Sequence, residues 1–285
     1  MNTNIVERAL LVVLKISAWS GRKFDGMVTK EVHDSKAAAS DSGRYNKYLL
    51  AGGALHLEGI NRAKTKLREM HYRETLPWLD SRGQRLLPTA NHERYIQAYA
   101  TLADQFESTV INLVANWDES VECARVHLGS MFQPQEYPSR GEIASKFSVG
   151  VRFFPLPANG DFRLELPGDV IEQVRRDTQE QCAEAAKIAL QDAWQRLSER
   201  VEHMADKLGD PEGVFRDTLI SSAAETIDAL KRLNITDDPT LEAYRLEAET
   251  KLLRYSADDL RDDDSARAET ARAADDILRR MRGLV

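Results

Sequence analysis

Residues 167–209, PGDVIEQVRRDTQEQCAEAAKIALQDAWQRLSERVEHMADKLG, decide the fold. Pro167–Gly168–Asp169 is a helix start and Gly209 follows Leu208 as a stop. Within the stretch, Leu190, Trp194, Leu197, Val201, Met204 and Leu208 recur with alternating spacings of 4 and 3, the heptad rhythm of a packing seam. A helix of about 40 residues is roughly 60 Å long. A protein built around it is expected to be elongated and mainly α.

Upstream, a second stripe runs Tyr95, Tyr99, Leu102, Phe106, Val110, Leu113, Trp117, Val121, Ala124, Leu128, an 11-residue repeat that predicts one nearly straight helix. Another runs from Tyr45 through Leu49, Gly52, His56, Ile60, Ala63 and Leu67 to Met70, ending near Leu76–Pro77. Downstream, Asp210–Pro211 predicts a helix to about Leu233. Asp238–Pro239 predicts the next, to about Tyr255, and Ser256 the last, to about Arg282. That last helix has a thin, alanine-rich apolar face (Leu260, Ala271, Ala274, Leu278, Met281) and ends in Arg279, Arg280 and Arg282, favourable at a helix C-terminus.

The exceptions to helix are few. In Leu10–Phe24, LLVVLKISAWSGRKF, the positions Leu10, Val12, Leu14, Ile16 and Ala18 alternate with a set that becomes polar, the period of a strand. Phe147–Leu156 is β-rich, Asn159–Gly160 is a hairpin signal, and Phe162–Leu166 alternates again. Gln84–Leu87 reads as a short strand. The expected fold is therefore mainly α: an elongated antiparallel bundle of long helices with a small, largely antiparallel β-sheet head. Residues 1–209 form the bundle and sheet, with strands near 10–19, 84–87, 147–156 and 162–166; residues 210–285 form a C-terminal helical segment.

Composition sets limits. With 42% hydrophobic and 30% charged residues, the chain is globular rather than disordered. Its net charge of −7 argues against a duplex-DNA binder acting through bulk charge. No apolar run reaches a membrane span, and the N-terminal run lacks the flanks of a signal peptide. Cys123 and Cys182 lie in helical patterns and read as reduced thiols of a cytoplasmic protein.

The usual chemical constellations are missing: there is no G-x-x-x-x-G-K-[ST] loop, H-E-x-x-H, C-x-x-C or G-x-S-x-G. Ser20-Gly21-Arg22-Lys23 matches S-x-x-K formally, but at the end of a strand rather than the start of a helix, so it reads as a turn. The run Asp258, Asp259, Asp262, Asp263, Asp264 has no Gly-centred loop and reads as a solvated face rather than a cation site. Arg62, Lys66 and Arg73 share one helical face. Arg22, Lys23, Arg82 and Arg85 fall in turns that could join it, forming a patch for phosphates or an acidic partner. Trp19 reads as a packing residue at the sheet–helix junction, and Trp117 and Trp194 as core.

Three phrases carry a resemblance: ISAWSGRK (Ile16–Lys23), LNITDDPTLEAYRLE (Leu233–Glu247) and LRDDDSAR (Leu260–Arg267). They resemble a family of phage, integrative-element and bacterial proteins of unknown function, whose members open with an apolar strand ending in a Trp-(Ser/Thr)-(Gly/Ala)-Arg-Lys turn. Such proteins are encoded near MoxR/CobS-like AAA+ ATPases, von Willebrand A or CobT-like proteins, and single-strand annealing or exonuclease genes. The resemblance implies an accessory role in a phage or mobile element, in the host cytoplasm if phage-encoded. It supplies no catalytic residues. The expected function is non-enzymatic: a helical scaffold or adaptor, without cofactor or metal, contacting a protein partner such as the AAA+ ATPase or von Willebrand A-type protein, or a second copy of itself. The heptad seam and thin last helix motivate this. The alternative is a recombination or replication factor that binds single-stranded nucleic acid through the basic residues and the Trp19 turn.

Overall fold

A computed structural model describes residues 5–50, 55–79, 83–157, 167–210 and 212–282. The chain is mainly α, with a small antiparallel sheet and a separate two-stranded ribbon. In order, the elements are β1 (Ala9–Ser17), β2 (Arg22–Phe24), α1 (Gly26–Lys36), β3 (Asn46–Tyr48), α2 (Leu55–Glu74), β4 (Leu76–Pro77), β5 (Arg85–Pro88) and α3 (His92–Ala115). They continue with α4 (Trp117–Leu128), α5 (Arg140–Ser145), β6 (Ser148–Pro155), α6 (Gly168–Gly209), α7 (Thr218–Leu233), α8 (Pro239–Leu252), α9 (Asp259–Asp262) and α10 (Asp264–Met281). The strand expected at 162–166 lies outside the described residues. Packing divides the chain into two units, each made of non-adjacent segments: residues 1–13, 70–96 and 152–285 form the first, and residues 14–69 and 97–151 the second.

The first unit is organised by α6, which runs its expected length. Trp194, Leu197, Val201, Met204 and Leu208 are buried against α7, α8 and α10, so the heptad seam is filled by the chain's own later helices. The thin face of α10 is filled too: Ala271, Ala274, Leu278 and Met281 are all buried in that core. The segment after Gly209 therefore shares one core with α6, and the expected boundary there falls inside a single packed unit.

Arg267 closes this core. Its buried guanidinium donates to the carbonyls of Asp210 (2.5 Å) and Gly213 (2.6 Å), with longer bonds to Lys207 and Leu208 at 3.4 Å. Lys207 and Leu208 supply two of the orphan carbonyls that every helix leaves at its C-terminus, Asp210 and Gly213 belong to the chain just beyond it, and a cation there also meets the negative end of the dipole. The guanidiniums of Arg261 and Arg267 both lie 5.3 Å from the ring of Phe215. The chain after α6 is held by these bonds in a non-helical path, and α7 begins at Thr218 rather than at the expected Asp210–Pro211.

The sheet runs β4–β5–β1–β6, and β1 pairs antiparallel with β5 in the register Ala9↔Pro88, Leu11↔Leu86. Ala9 and Leu11 enter a first-unit core with Leu76, Leu86, Ala185 and Ala189. Leu14, Ile16 and Ala18, of the opposite parity, pack on the second unit's core, as the alternation predicts for them. The strand thus uses both faces, one in each unit.

Three helix boundaries differ from expectation for local reasons. The stripe from Tyr95 breaks at Asn116 (φ −102°, ψ 22°), whose side-chain amide donates to Asn112 O at 2.8 Å and competes with the backbone ladder. The last helix breaks at Asp263, whose carboxylate accepts from the N–H groups of Ser265 and Ala266 and starts α10 anew. Ser256 exchanges bonds with Asp259 (2.9 and 3.1 Å), the first residue of α9, whose N-cap is Asp258. The acidic run is thus helix caps and an Asp258–Arg261 ion pair, and no group of three metal-ligating side chains occurs among the described residues. The helix expected from Tyr45 is a strand at residues 46–48, and α2 is described from Leu55.

At the first-unit end of α2, His71 is buried with its Nδ1 2.8 Å from the Tyr95 hydroxyl. Burial, then the charge of Arg85, push its pKa down to about 4. Between that value and the 6.5 of a free imidazole, the unfolded chain binds a proton that the folded one refuses. The His71 contribution to stability is therefore complete above pH 6.5 and is lost as the pH falls towards 4.

Two outcomes are expected. Arg267→Ala lowers the unfolding free energy in urea by about 2–4 kcal/mol, and Arg267→Lys does not restore it, because an ammonium cannot reach several carbonyls as a fork does. His71→Gln removes about 2 kcal/mol of the wild-type loss in stability between pH 6.5 and pH 5, measured by the same titration.

Candidate functional site

The sequence-predicted basic residues fall in both units, with Arg62, Lys66 and Arg73 all on α2. Arg82 lies outside the described residues. Arg85 is not in a surface turn: it is buried on β5, donating to Thr75 Oγ1 (2.6 Å) and Thr75 O (3.1 Å), with its guanidinium 4.6 Å from the Tyr72 ring. Arg73 belongs to the first unit and is paired with Glu74 (2.8 Å) and Glu225 (3.9 Å). Arg22, Lys23, Arg62 and Lys66 all belong to the second unit and are exposed.

Arg22 and Lys23 stand on β2, not in a turn. The turn before them is made by Ser20–Gly21: Ser20 Oγ accepts from the Arg22 N–H at 3.3 Å, so the S-x-x-K match is a local turn. Gly21 has φ +63°, and a Cβ there would come within 2.7 Å of Leu57 Cδ2. No other residue meets both conditions without strain. Its carbonyl accepts from the Leu49 N–H at 2.7 Å. Trp19 packs beneath, half-buried, its ring 5.5 Å from that of Trp117 in edge-to-face contact. Trp19 is therefore engaged in packing, not presented as a stacking surface.

The ribbon pairs Arg22↔Tyr48, Lys23↔Lys47 and Phe24↔Asn46. Residues directly opposite share a face, and the face alternates along each strand. Lys47 decides which face looks inward. It is 1% exposed, with Nζ 2.8 Å from Glu136, 3.1 Å from Asp25 and 2.7 Å from Met131 O. Burial works against the ammonium, but the bonds to Glu136 and Asp25 outweigh it and hold its pKa above the usual lysine value. Asp25 is the N-cap of α1. The backbone N–H of Val28, then Lys47, hold its carboxyl below the usual range. Tyr137 fastens the next residues, donating to Leu49 O at 2.6 Å; burial and then Glu136 push this phenol up to about 12, so it stays a donor.

With Lys47 turned in, Arg22, Phe24, Asn46 and Tyr48 are turned out. Phe24 is 49% and Tyr48 56% exposed. Each ring is attended by a guanidinium, Arg22 at 4.8 Å from Tyr48 and Arg44 at 5.9 Å from Phe24. Sequence reading missed Phe24, Arg44 and Tyr48. The alternation Asn46-Lys47-Tyr48 is their signal, but three residues are too few to stand out.

Arg62 and Lys66 line a groove of about 640 Å³ with Gly59 and Ala63 on α2 and Thr101, Asp104, Gln105, Ser108 and Thr109 on α3. Gly59 lets the helices close, since a Cβ there would lie 2.9 Å from Thr109 Cγ2. Neither cation has a hydrogen bond or ion pair among the described residues. Groove and ribbon meet on α2: Gly21 rests on Leu57, two residues before Gly59. Residues 14–69, which supply the ribbon and this wall of the groove, carry 11 Lys and Arg against 6 Asp and Glu in a chain of net charge −7.

No protein-family profile, curated protein or solved structure matches the chain. The three phrases singled out in the sequence have structural work: Gly21 makes the turn described above, Asp237 pairs with Arg8 ahead of the Asp238 cap of α8, and Arg267 closes α6.

Lys47→Met is expected to destabilise the protein by about 3–5 kcal/mol, because it strands two buried carboxylates. Adding Asp25→Asn and Glu136→Gln to Lys47→Met should recover most of that loss in the same denaturation assay. The Asp25 contribution is present above the unfolded aspartate value of about 3.9 and is lost as the pH falls through its lower folded value.

Proposed function

We propose that this chain is a non-enzymatic nucleic-acid-associated accessory protein of recombination or replication, working through the cationic side of its second unit. The observation that carries the reading is the pair of unpaired cations, Arg62 and Lys66, on the wall of a groove rich in hydroxyl and amide groups. Some exposed cations of this chain are bound to neighbouring carboxylates, as Arg125 is to Glu122 and Arg175 to Glu172. Two left free beside Thr101, Gln105 and Ser108, with Asp104 the one carboxylate among the described lining residues, suit a phosphate track.

The adaptor reading loses its two motives, because the heptad seam and the apolar face of α10 are covered within the chain. An ATPase partner of the kind the resemblance implies belongs to a second reading, favoured by the exposed Met27 (68%) and Val32 (47%) on α1. Coelution of the purified chain with such an ATPase, lost in Met27→Asp/Val32→Asp, supports it.

Anisotropy of a labelled oligothymidylate, titrated across salt concentrations, tests the first reading. Arg62→Glu/Lys66→Glu should weaken binding roughly tenfold or more at low salt, and Arg62→Gln/Lys66→Gln should reduce the slope of log K against log salt by about 0.7 per cation. Affinity and slope unchanged in both variants would sink the reading.

A further inference from the structure

The ribbon is cationic and aromatic on one face, and its construction points to a more specific ligand than phosphate alone. Across residues 22–48 five exposed cations (Arg22, Lys23, Lys30, Lys36, Arg44) face three exposed carboxylates (Glu31, Asp34, Asp41). Phe24 and Tyr48 occupy diagonal positions of the ribbon, about 7–8 Å apart by the geometry of antiparallel pairs. Large rings do not stay in water without consequence: each leaves apolar area exposed that folding could have covered. Here the exposure is enforced. Burying Lys47 between Asp25 and Glu136 turns its strand neighbours Asn46 and Tyr48 outward, and β2 opposite them is exposed at all three positions, Arg22, Lys23 and Phe24.

A phosphate track needs only cations. Rings set among guanidiniums, beside a groove with free cations, are the two components that proteins combine to hold single strands: a π-face for unstacked bases and positive charge for the backbone. A duplex offers its phosphates to the groove but keeps its base faces stacked inside, so the rings would have no partner there. We infer that the outer face of the β2–β3 ribbon is a base-stacking platform for single-stranded nucleic acid. Phe24 and Tyr48 are the stacking rings, Arg22 and Arg44 meet the adjoining phosphates, and Asn46 lies between the rings in reach of a base edge. This rests on the nucleic-acid reading above and adds the form of the ligand and the residues that read it.

The test compares a single-stranded oligothymidylate with a duplex of the same length, by anisotropy, for the wild type, Phe24→Ala, Tyr48→Ala, Phe24→Trp, Tyr48→Trp and Arg62→Glu/Lys66→Glu. Both rings are exposed, so the variants should fold, which circular dichroism checks. A second measurement uses oligothymidylate carrying 5-iodouracil, photo-crosslinked and mapped by mass spectrometry. The expected result is preference for the single strand, a loss of roughly tenfold for each alanine variant, retained affinity in the tryptophan variants, and cross-links on Phe24 or Tyr48. Equal binding of strand and duplex, with the alanine variants unchanged and Arg62→Glu/Lys66→Glu weakened, overturns the platform and leaves the phosphate-track reading standing. No binding of either nucleic acid at low salt overturns both, as does capture of an acidic polypeptide such as polyglutamate in their place.

Discussion

One ammonium group sets the character of the second unit. Lys47 Nζ sits between Asp25 and Glu136 and against the Met131 carbonyl, almost without exposure. Taking three charges out of water costs several kcal/mol per ion, and only close pairing offsets it. A hydrophobic residue could have filled the same space more cheaply. What the charged arrangement adds is direction: the ammonium must reach its partners, so the ribbon can be seated with only one face inward. Asp25 also caps α1, so the triad orients the first helix along with the ribbon. The outward face of Arg22, Phe24, Asn46 and Tyr48 is a consequence of this seating.

The first unit is governed by a different constraint, the ending of a 42-residue helix. Its last carbonyls are met by Arg267, a residue from the far end of the unit, so α6 and α10 are secured to each other where their apolar faces already pack. Ala185, Ala189 and Ala193, all buried, let neighbouring backbone approach α6 closely on its earlier turns. Apolar surface that looked available to a partner is consumed here. The second unit differs in charge: over residues 14–69 its balance is the reverse of the chain's as a whole.

How much of this could be read in advance follows the length of the pattern. The heptad of α6 spans many turns and is unambiguous, and β1 alternates over nine residues and is found within one or two of its bounds. Helix breaks at Asn116 and Asp263 were hidden because the apolar stripe continues across them; a single competing side chain decides each. The basic patch was half legible. Periodicity placed Arg62 and Lys66 on one face correctly, but a surface arginine and a buried one look alike in sequence, and Arg85 turned out to be held by Thr75. The ribbon was beyond reach for the same reason, since nothing local marks Lys47 as the residue that goes inside.

The interleaving of the two units has a consequence for how the protein is made. Every segment of the second unit lies before residue 152, whereas the first unit's core needs α6 to α10, all of which follow residue 167. Synthesis proceeds at about 5–20 residues per second, so roughly seven to twenty-five seconds separate completion of the one from completion of the other. During that interval the ribbon and groove are assembled on a chain still attached to the ribosome, while β1, α2 and α3 extend from them without their remaining partners. The half that carries the ribbon and groove is the older half of each new molecule, assembled before the helices that fill the other core exist.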